Sequence, residues 1–226
     1  MNTPTEFGTK KIRLWDWPIR LFHWAVVALF IVSWISAEVG GNAMQYHFWS
    51  GYTVLGLVLF RILWGWVGSE TARFAHFLRG PGAVIAYARA WFKSGYRATY
   101  GHNPLGGWSV AALLLTLAFQ TVTGLFSNDD IANEGPLYHL VSKDTSDLIS
   151  TLHAGSFNIL LALVALHIVA IVIYRVKHRE NLLMPMLTGD KVVDESAPEP
   201  KQGSMKVALL LALAVAAGVY AVVTKL

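Results

Sequence analysis

Three histidines, His23, His153 and His167, sit inside or at the edge of long apolar runs, and His47 opens a further one. An ionisable side chain in such a run is costly in a bilayer and functional by default. Taken singly, each also fits a core histidine bonded to a carbonyl of a neighbouring helix. Their spacing points further. His153 and His167 are 14 residues apart, which on a helix means within roughly 40° of one face and about 21 Å apart along the axis. Two imidazoles so far apart cannot easily complete one tetrahedral zinc site. Iron in a planar macrocycle, however, takes one axial ligand from each side, and facing helices can supply both. The chemistry implied is haem b held twice between imidazole pairs. With both axial positions filled, electron transfer is expected rather than oxygen activation. The chain contains no cysteine, so disulfides, thiolate iron–sulfur clusters and covalent haem attachment are excluded.

The elements that must position these residues are transmembrane helices. The chain has 226 residues, 54% of them apolar and 14% charged, too hydrophobic for an ordinary soluble domain. Five continuous runs approach the roughly 20 apolar residues that a bilayer requires. They read as Trp17–Ile35, Phe48–Val67, Trp108–Phe126, Leu152–Tyr174 and Val207–Val223. They lack the period-two alternation of a membrane barrel. The first run, with Trp24, Trp34 and His23, is too long and too polar for a signal peptide's apolar core.

Charge orients the bundle. Lys10, Lys11, Arg13 and Arg20 precede or begin the first span. Arg73, Arg79, Arg89, Lys93 and Arg97 lie in the second connection, and Arg175, Lys177 and Arg179 at and beyond the end of the fourth span. The first and third connections hold Glu38, Asp129, Asp130, Glu134, Asp144 and Asp147 against Lys143 alone. By the positive-inside rule, the N-terminus is expected on the cytoplasmic side of a bacterial inner membrane and the acidic loops outside. Basic residues at helix ends suit anionic lipid, not nucleic acid. Counting from the span ends then makes two level pairs, His23 with His167 near the inner face and His47 with His153 near the outer one. Arg61, roughly 9 Å inside the inner end of the second span, is level with the inner pair. It is a candidate partner for a haem propionate, as is Arg20, close to His23 in the first span.

The fold class expected is an all-α membrane protein: a four-helix bundle holding two haems b, plus a fifth C-terminal helix. Residues 1–190 form the di-haem unit, 191–204 a flexible cytoplasmic linker and 205–226 the added span, which carries no histidine. Ala83–Lys93 suits an interfacial helix. Gln120, Thr121 and Thr123 either line a quinone pocket or bond helix to helix. His76, His102, His139 and His178 read as surface histidines without a level partner.

Over about residues 11–190 the chain resembles the bacterial cytochrome b561 family, which includes the b-type cytochrome subunits of nickel–iron hydrogenases. The likeness rests on W-D-W-P-I-R-L-F-H-W around His23, H-F-W-S-G-Y-T-V-L-G-L from His47 and G-H-N-P-L-G-G before the third span. It continues in L-H-A-G…A-L-H with its 14-residue spacing and in E-N-L-L-M-P-M-L-T-G-D-K. The resemblance implies haem b at His23, His47, His153 and His167 and exchange of electrons with membrane quinone.

The leading functional expectation is electron transfer between quinone and a periplasmic redox protein, such as a c-type cytochrome drawn by the acidic loops. A membrane-anchor subunit of a hydrogenase or other dehydrogenase is the second reading. A quinone-coupled superoxide oxidase is a third, disfavoured because an anionic substrate wants a positive outer face. A non-redox transporter would place its site at one midplane level, not two.

Overall fold

The computed structural model describes residues 8–92 and 99–225. Lys93 and Arg97, counted above in the basic second connection, lie outside the described residues. A short strand, β1 (Thr9–Arg13), leads to the first long helix, α1 (Trp17–Val39). Asp16 starts α1: its Oδ1 accepts the Ile19 N–H at 2.8 Å, and Pro18 presets the first turn. The helix stops at Gly40, whose φ of +64° favours glycine. A single 3-10 turn, Gly41–Ala43, then reverses the chain into α2 (Met44–Val67).

The second connection contains α3 (Phe74–Phe77) and α4 (Pro81–Phe92), the latter at the place expected for an interfacial helix. Asn103 caps α5 (Pro104–Gly124) by accepting the Gly106 N–H at 2.8 Å. Ser142 caps α6 (Lys143–Lys177), which carries Asp144 in its first turn and Arg175 and Lys177 in its last, each suited to the helix dipole. α6 thus begins well before the expected Leu152. Hydropathy marks the part suited to lipid, whereas the cap sets where the helix starts. α7 (Leu183–Thr188), strand β2 (Asp190–Asp194) and α8 (Met205–Lys225) complete the chain.

α1, α2, α5, α6 and α8 are each long and apolar enough to cross a membrane. α2 is the central one: 44% of its most apolar window is buried inside the protein, against 6% for α8. Val54 and Val58 of α2, Leu117 of α5 and Leu160 of α6 form an apolar plug in mid-bundle, backed by Val26, Leu29 and Phe30 of α1. Apolar residues elsewhere on these helices remain exposed, as a lipid-facing surface requires.

The basic end is closed by a clasp that hydropathy alone does not signal. β1 and β2 pair antiparallel, Thr9 opposite Asp194 and Arg13 opposite Asp190, over a small core of Ile12, Val193 and Ala197. Asp190 binds Lys11 at 2.9 Å and Arg13 at 3.0 Å. The Gly189 carbonyl accepts the Leu14 and Trp15 N–H groups at 2.8 and 3.0 Å. Residues 191–204, expected as a flexible linker, do join the bundle to α8, but they are stitched down. The Glu70 N–H donates to the Lys201 carbonyl at 2.9 Å, and the Lys201 N–H donates back to Glu70 Oε2 at 3.0 Å. Gly203 lies so close to Trp64 that a Cβ there would stand 2.8 Å from the Ser69 nitrogen. α8 then runs along α2, with Gly56 facing Val215 and Val219, and with Ala208 packed into the cluster of Leu14, Trp15, Phe60 and Trp64.

Candidate functional site

The acidic end brings His47 and His153 together. Their ring centroids are 6.1 Å apart and the planes nearly perpendicular, at 85°. His47 stands in the first turn of α2, just after the Gly40–Ala43 reversal, so it faces back towards α1. Its Nδ1 donates to the Ser33 carbonyl at 2.9 Å, with Ser33 Oγ at 3.2 Å. His153, on α6, donates from Nδ1 to the Gln120 carbonyl of α5 at 2.9 Å, with Thr123 Oγ1 at 3.1 Å. A carbonyl can only accept, so the proton of each ring sits on Nδ1 and the lone pair is on Nε2. A second ring nitrogen fixed by a carbonyl is the usual way a metal-binding imidazole is held in one tautomer and orientation. The His153 Nε2 lone pair meets the Gln120 side-chain amide at 3.2 Å, a donor that a stronger Lewis acid can displace.

The surroundings fit a bulky planar group. A cavity of about 710 Å³ is lined by both histidines, Gly51, Gly124, Phe30, Phe157 and the acidic loop at Asp129. A Cβ on Gly51 would meet nothing within 4 Å, and the same holds for Gly155, whereas one on Gly124 would stand 3.0 Å from His153 Cε1. Two metal–imidazole bonds of about 2 Å plus the two ring radii amount to about 6 Å, close to the ring spacing seen. The residues therefore fit a bis-imidazole metal macrocycle. Gln120 and Thr123, weighed above as quinone contacts, are tied to His153, while Thr121 bonds back to the Leu117 carbonyl at 2.9 Å.

Along α6 towards the basic end, His167 lies within electrostatic range of His23 on α1. His23 Nδ1 is buried with no hydrogen-bond partner, and its ring meets Trp24 edge-on at 4.9 Å. Arg61 is buried on α2, with its guanidinium over Phe74 at 5.1 Å and Phe77 at 5.9 Å. Arg20 is differently engaged: Nε donates to the Met186 carbonyl at 3.3 Å, Nη2 to the Leu187 carbonyl, and the group lies 4.4 Å over Trp17. It ties α1 to α7, which leaves Arg61 as the guanidinium with unmet capacity.

His102 was read above as a surface histidine; the structure places it at this level instead. Its ring lies between Trp15 and Phe77, each at 4.7 Å, and its Nδ1 is buried without a partner. Burial pushes it down to about 3, with Arg61 and His167 adding to the effect, so the ring is neutral at physiological pH. The signal was present in G-H-N-P, where His102 directly precedes the α5 cap. Its neighbours, however, come from β1–α1 and α3, far off in sequence. Of the other three histidines, His76 stands 3.6 Å from Glu70, His139 lies in a 3-10 turn of the acidic loop, and the His178 ring is 5.6 Å from those of Trp91 and Tyr174.

The acidic loop uses part of its charge internally. The Asp129 carboxylate accepts from the Asn133 side chain and from the N–H groups of Ile131, Ala132 and Asn133, and these bonds hold it well below the usual carboxylate range. Lys143 pairs with Asp130 and, at 2.6 Å, with Asp147.

Searches of curated proteins and of solved structures gave no match. Residues 14–189 match the family described as prokaryotic cytochrome b561. That span takes in α1 to α7 and leaves outside it β1, β2, the strap formed by residues 195–204, and α8. The chain belongs to the prokaryotic cytochrome b561 family, and is a multi-pass bacterial membrane protein of the b-type cytochrome kind, which binds haem b and serves electron transport.

Proposed function

We propose that this chain carries two haems b, one between His47 and His153 and one between His23 and His167. It passes electrons across the membrane between quinone and a redox protein that docks at the acidic end. The observation that carries this reading is the His47–His153 pair: rings 6.1 Å apart, each Nδ1 donated to a main-chain carbonyl, beside the open Gly51 face. Bound there, haem iron supplies a one-electron carrier with no open coordination position. The protein's part is to fix both rings and to exclude water. Ser33 and Gln120 orient the imidazoles through main-chain carbonyls, which stay in place whatever the side chains do. The Val54, Val58, Leu117 and Leu160 plug keeps the space between the two levels apolar.

The basic residues gathered at the clasp end support a cytoplasmic N-terminus. The acidic loop would then face a periplasmic partner, for which a basic c-type cytochrome is the fitting chemistry. Glu134 and Asp144 are the loop's best candidates for a direct contact with the partner, since Asp129 is engaged within its own turn and Lys143 offsets one of the two charges of Asp130 and Asp147. The purified protein is expected to contain two haems b per chain, both extractable by acid acetone because no cysteine attaches them. One haem per chain, or none with bound zinc, contradicts the reading.

A further inference from the structure

Arg61 is a buried cation without a direct ion pair among the described residues. It is 3% exposed, its Nη1 is buried without a hydrogen-bond partner, and among the described residues no carboxylate lies within ion-pair distance of it. The acid whose field it feels is Asp16, but that carboxylate is directed elsewhere: Oδ1 accepts the Ile19 N–H at 2.8 Å and Oδ2 accepts Trp64 Nε1–H at 3.0 Å. The faces of Phe74 and Phe77 offset only part of the cost of burying a guanidinium. His102, whose ring packs on the same Phe77 side chain as Arg61, presents a second buried nitrogen with no partner. Arg61 and His167 are both within electrostatic reach of His102. Two unmet polar groups thus flank the same Phe77 ring, within electrostatic range of each other and, for His102, of His167. Buried polar groups left without partners are rare, and each calls for an explanation.

We propose that Arg61 and His102 form a two-point clamp for a carboxylate, and that this carboxylate is a propionate of the haem held between His23 and His167. The inference rests on the di-haem reading and adds His102, and a specific role, to it. A carboxylate has about four lone-pair sites. It can take a charge-assisted bond from the guanidinium and a single N–H from a neutral imidazole at the same time. The pairing supplies the anion that Arg61 lacks. It also explains why His102 is boxed by Trp15 and Phe77: the two rings leave the imidazole little freedom to turn away. Phe77 is the shared wall, packed against both members of the clamp.

The test uses the full-length, haem-loaded protein reconstituted with haem carrying ¹³C at its propionate carboxyl groups. It compares wild type, Arg61→Gln, Arg61→Lys, His102→Phe and His102→Gln. Redox-difference infrared spectra report the labelled carboxylates, and potentiometric titration reports each haem separately. In Arg61→Gln the propionate is left as an unpaired buried anion, so the basic-end haem becomes harder to reduce. A change of about tenfold in its reduction equilibrium is expected, or about 59 mV for a one-electron couple. Arg61→Lys restores part of this shift. His102→Phe keeps the aromatic box but moves the labelled carboxylate band, and His102→Gln, which retains a donor, moves it less. The acidic-end haem stays unchanged throughout. If Arg61→Gln does not fold, the two His102 variants and Arg61→Lys decide the matter.

Wild-type bands and potentials in the variants, with both haems present, overturn the clamp while leaving the di-haem reading intact. A wild type with a single haem overturns that reading first. Loss of low-spin character at the basic-end haem in His102→Phe would make His102 an axial ligand and likewise overturn the clamp.

Discussion

At the acidic end, His47 and His153 are held by the protein alone, each with Nδ1 on a carbonyl of a neighbouring helix. At the basic end, His23 Nδ1, Arg61 Nη1 and His102 Nδ1 are all buried without a partner. One level is ordered by the protein's own hydrogen bonds; the other holds three polar atoms whose bonding capacity the described residues do not meet. The difference follows from what surrounds each level. The acidic end opens into a 710 Å³ cavity rimmed by loops. The basic end is covered by the β1–β2 clasp, the segment Lys201–Gly203 and α8, and the cavity of about 690 Å³ that reaches it, between α1, α2 and α8, has an almost wholly apolar lining. Main-chain carbonyls suffice to orient a ring near a loop-lined mouth. A buried cation without a direct anionic partner, such as Arg61, is costly.

The largest effect is expected at Gly51. Replacing it with phenylalanine fills the open face beside His47, so haem content should fall from two per chain to one, with the basic-end component retained. Loss of both haems would mean that the two levels are not independent sites, and loss of neither that the Gly51 face does not border the acidic-end haem.

A smaller effect is expected from the charge outside the acidic-end site. Glu134→Gln with Asp144→Asn should slow reduction or oxidation of a cationic cytochrome c several-fold at low ionic strength. The difference should fade as the Debye length shrinks from about 10 Å at 0.1 M salt to about 3 Å at 1 M. Lys143→Ala should do the reverse, because it releases Asp130 and Asp147 from their ion pairs. Stopped-flow rates across a salt series check both, with haem spectra as the control. A rate indifferent to all three changes would remove the acidic rim's steering role.

The smallest effect belongs to the clasp. Lys11, then Arg13, hold the Asp190 carboxyl below its usual range. A carboxyl depressed in the folded state contributes stability above its unfolded value of about 3.9, and that contribution is lost as pH falls through the lower folded value. Asp190→Asn should therefore cost at most about 1 kcal/mol near neutral pH, as partly exposed pairs do, and nothing below the folded pKa. Thermal unfolding at pH 7 and at the lowest pH the protein tolerates measures this, and an equal cost at both would assign the loss to packing instead of charge.

The spans and the nearness of His47 to His153 were legible because each follows from one helix at a time: apolar run length, depth counted from the span ends and the sign of flanking charge. What hid from the sequence depends on partners far apart in the chain. β1 and β2 are five residues each and lie nearly the whole family core apart. The strap has a linker's composition, with Pro198, Pro200 and Gly203, yet main-chain bonds to Glu70 fix it. His102 sits in a short loop whose character is set by Trp15 and Phe77, not by its neighbours in sequence. Arg20 looked equivalent to Arg61 by depth. Only the α7 carbonyls, on an element of six residues, tell the two apart.

Whether the four histidines make two level pairs is decided by alanine replacement of each, followed by potentiometric titration of haem b. His47→Ala and His153→Ala should abolish the same redox component, and His23→Ala and His167→Ala the other. If His23→Ala and His153→Ala removed the same component, the pairing, and with it the two-level arrangement, would be contradicted.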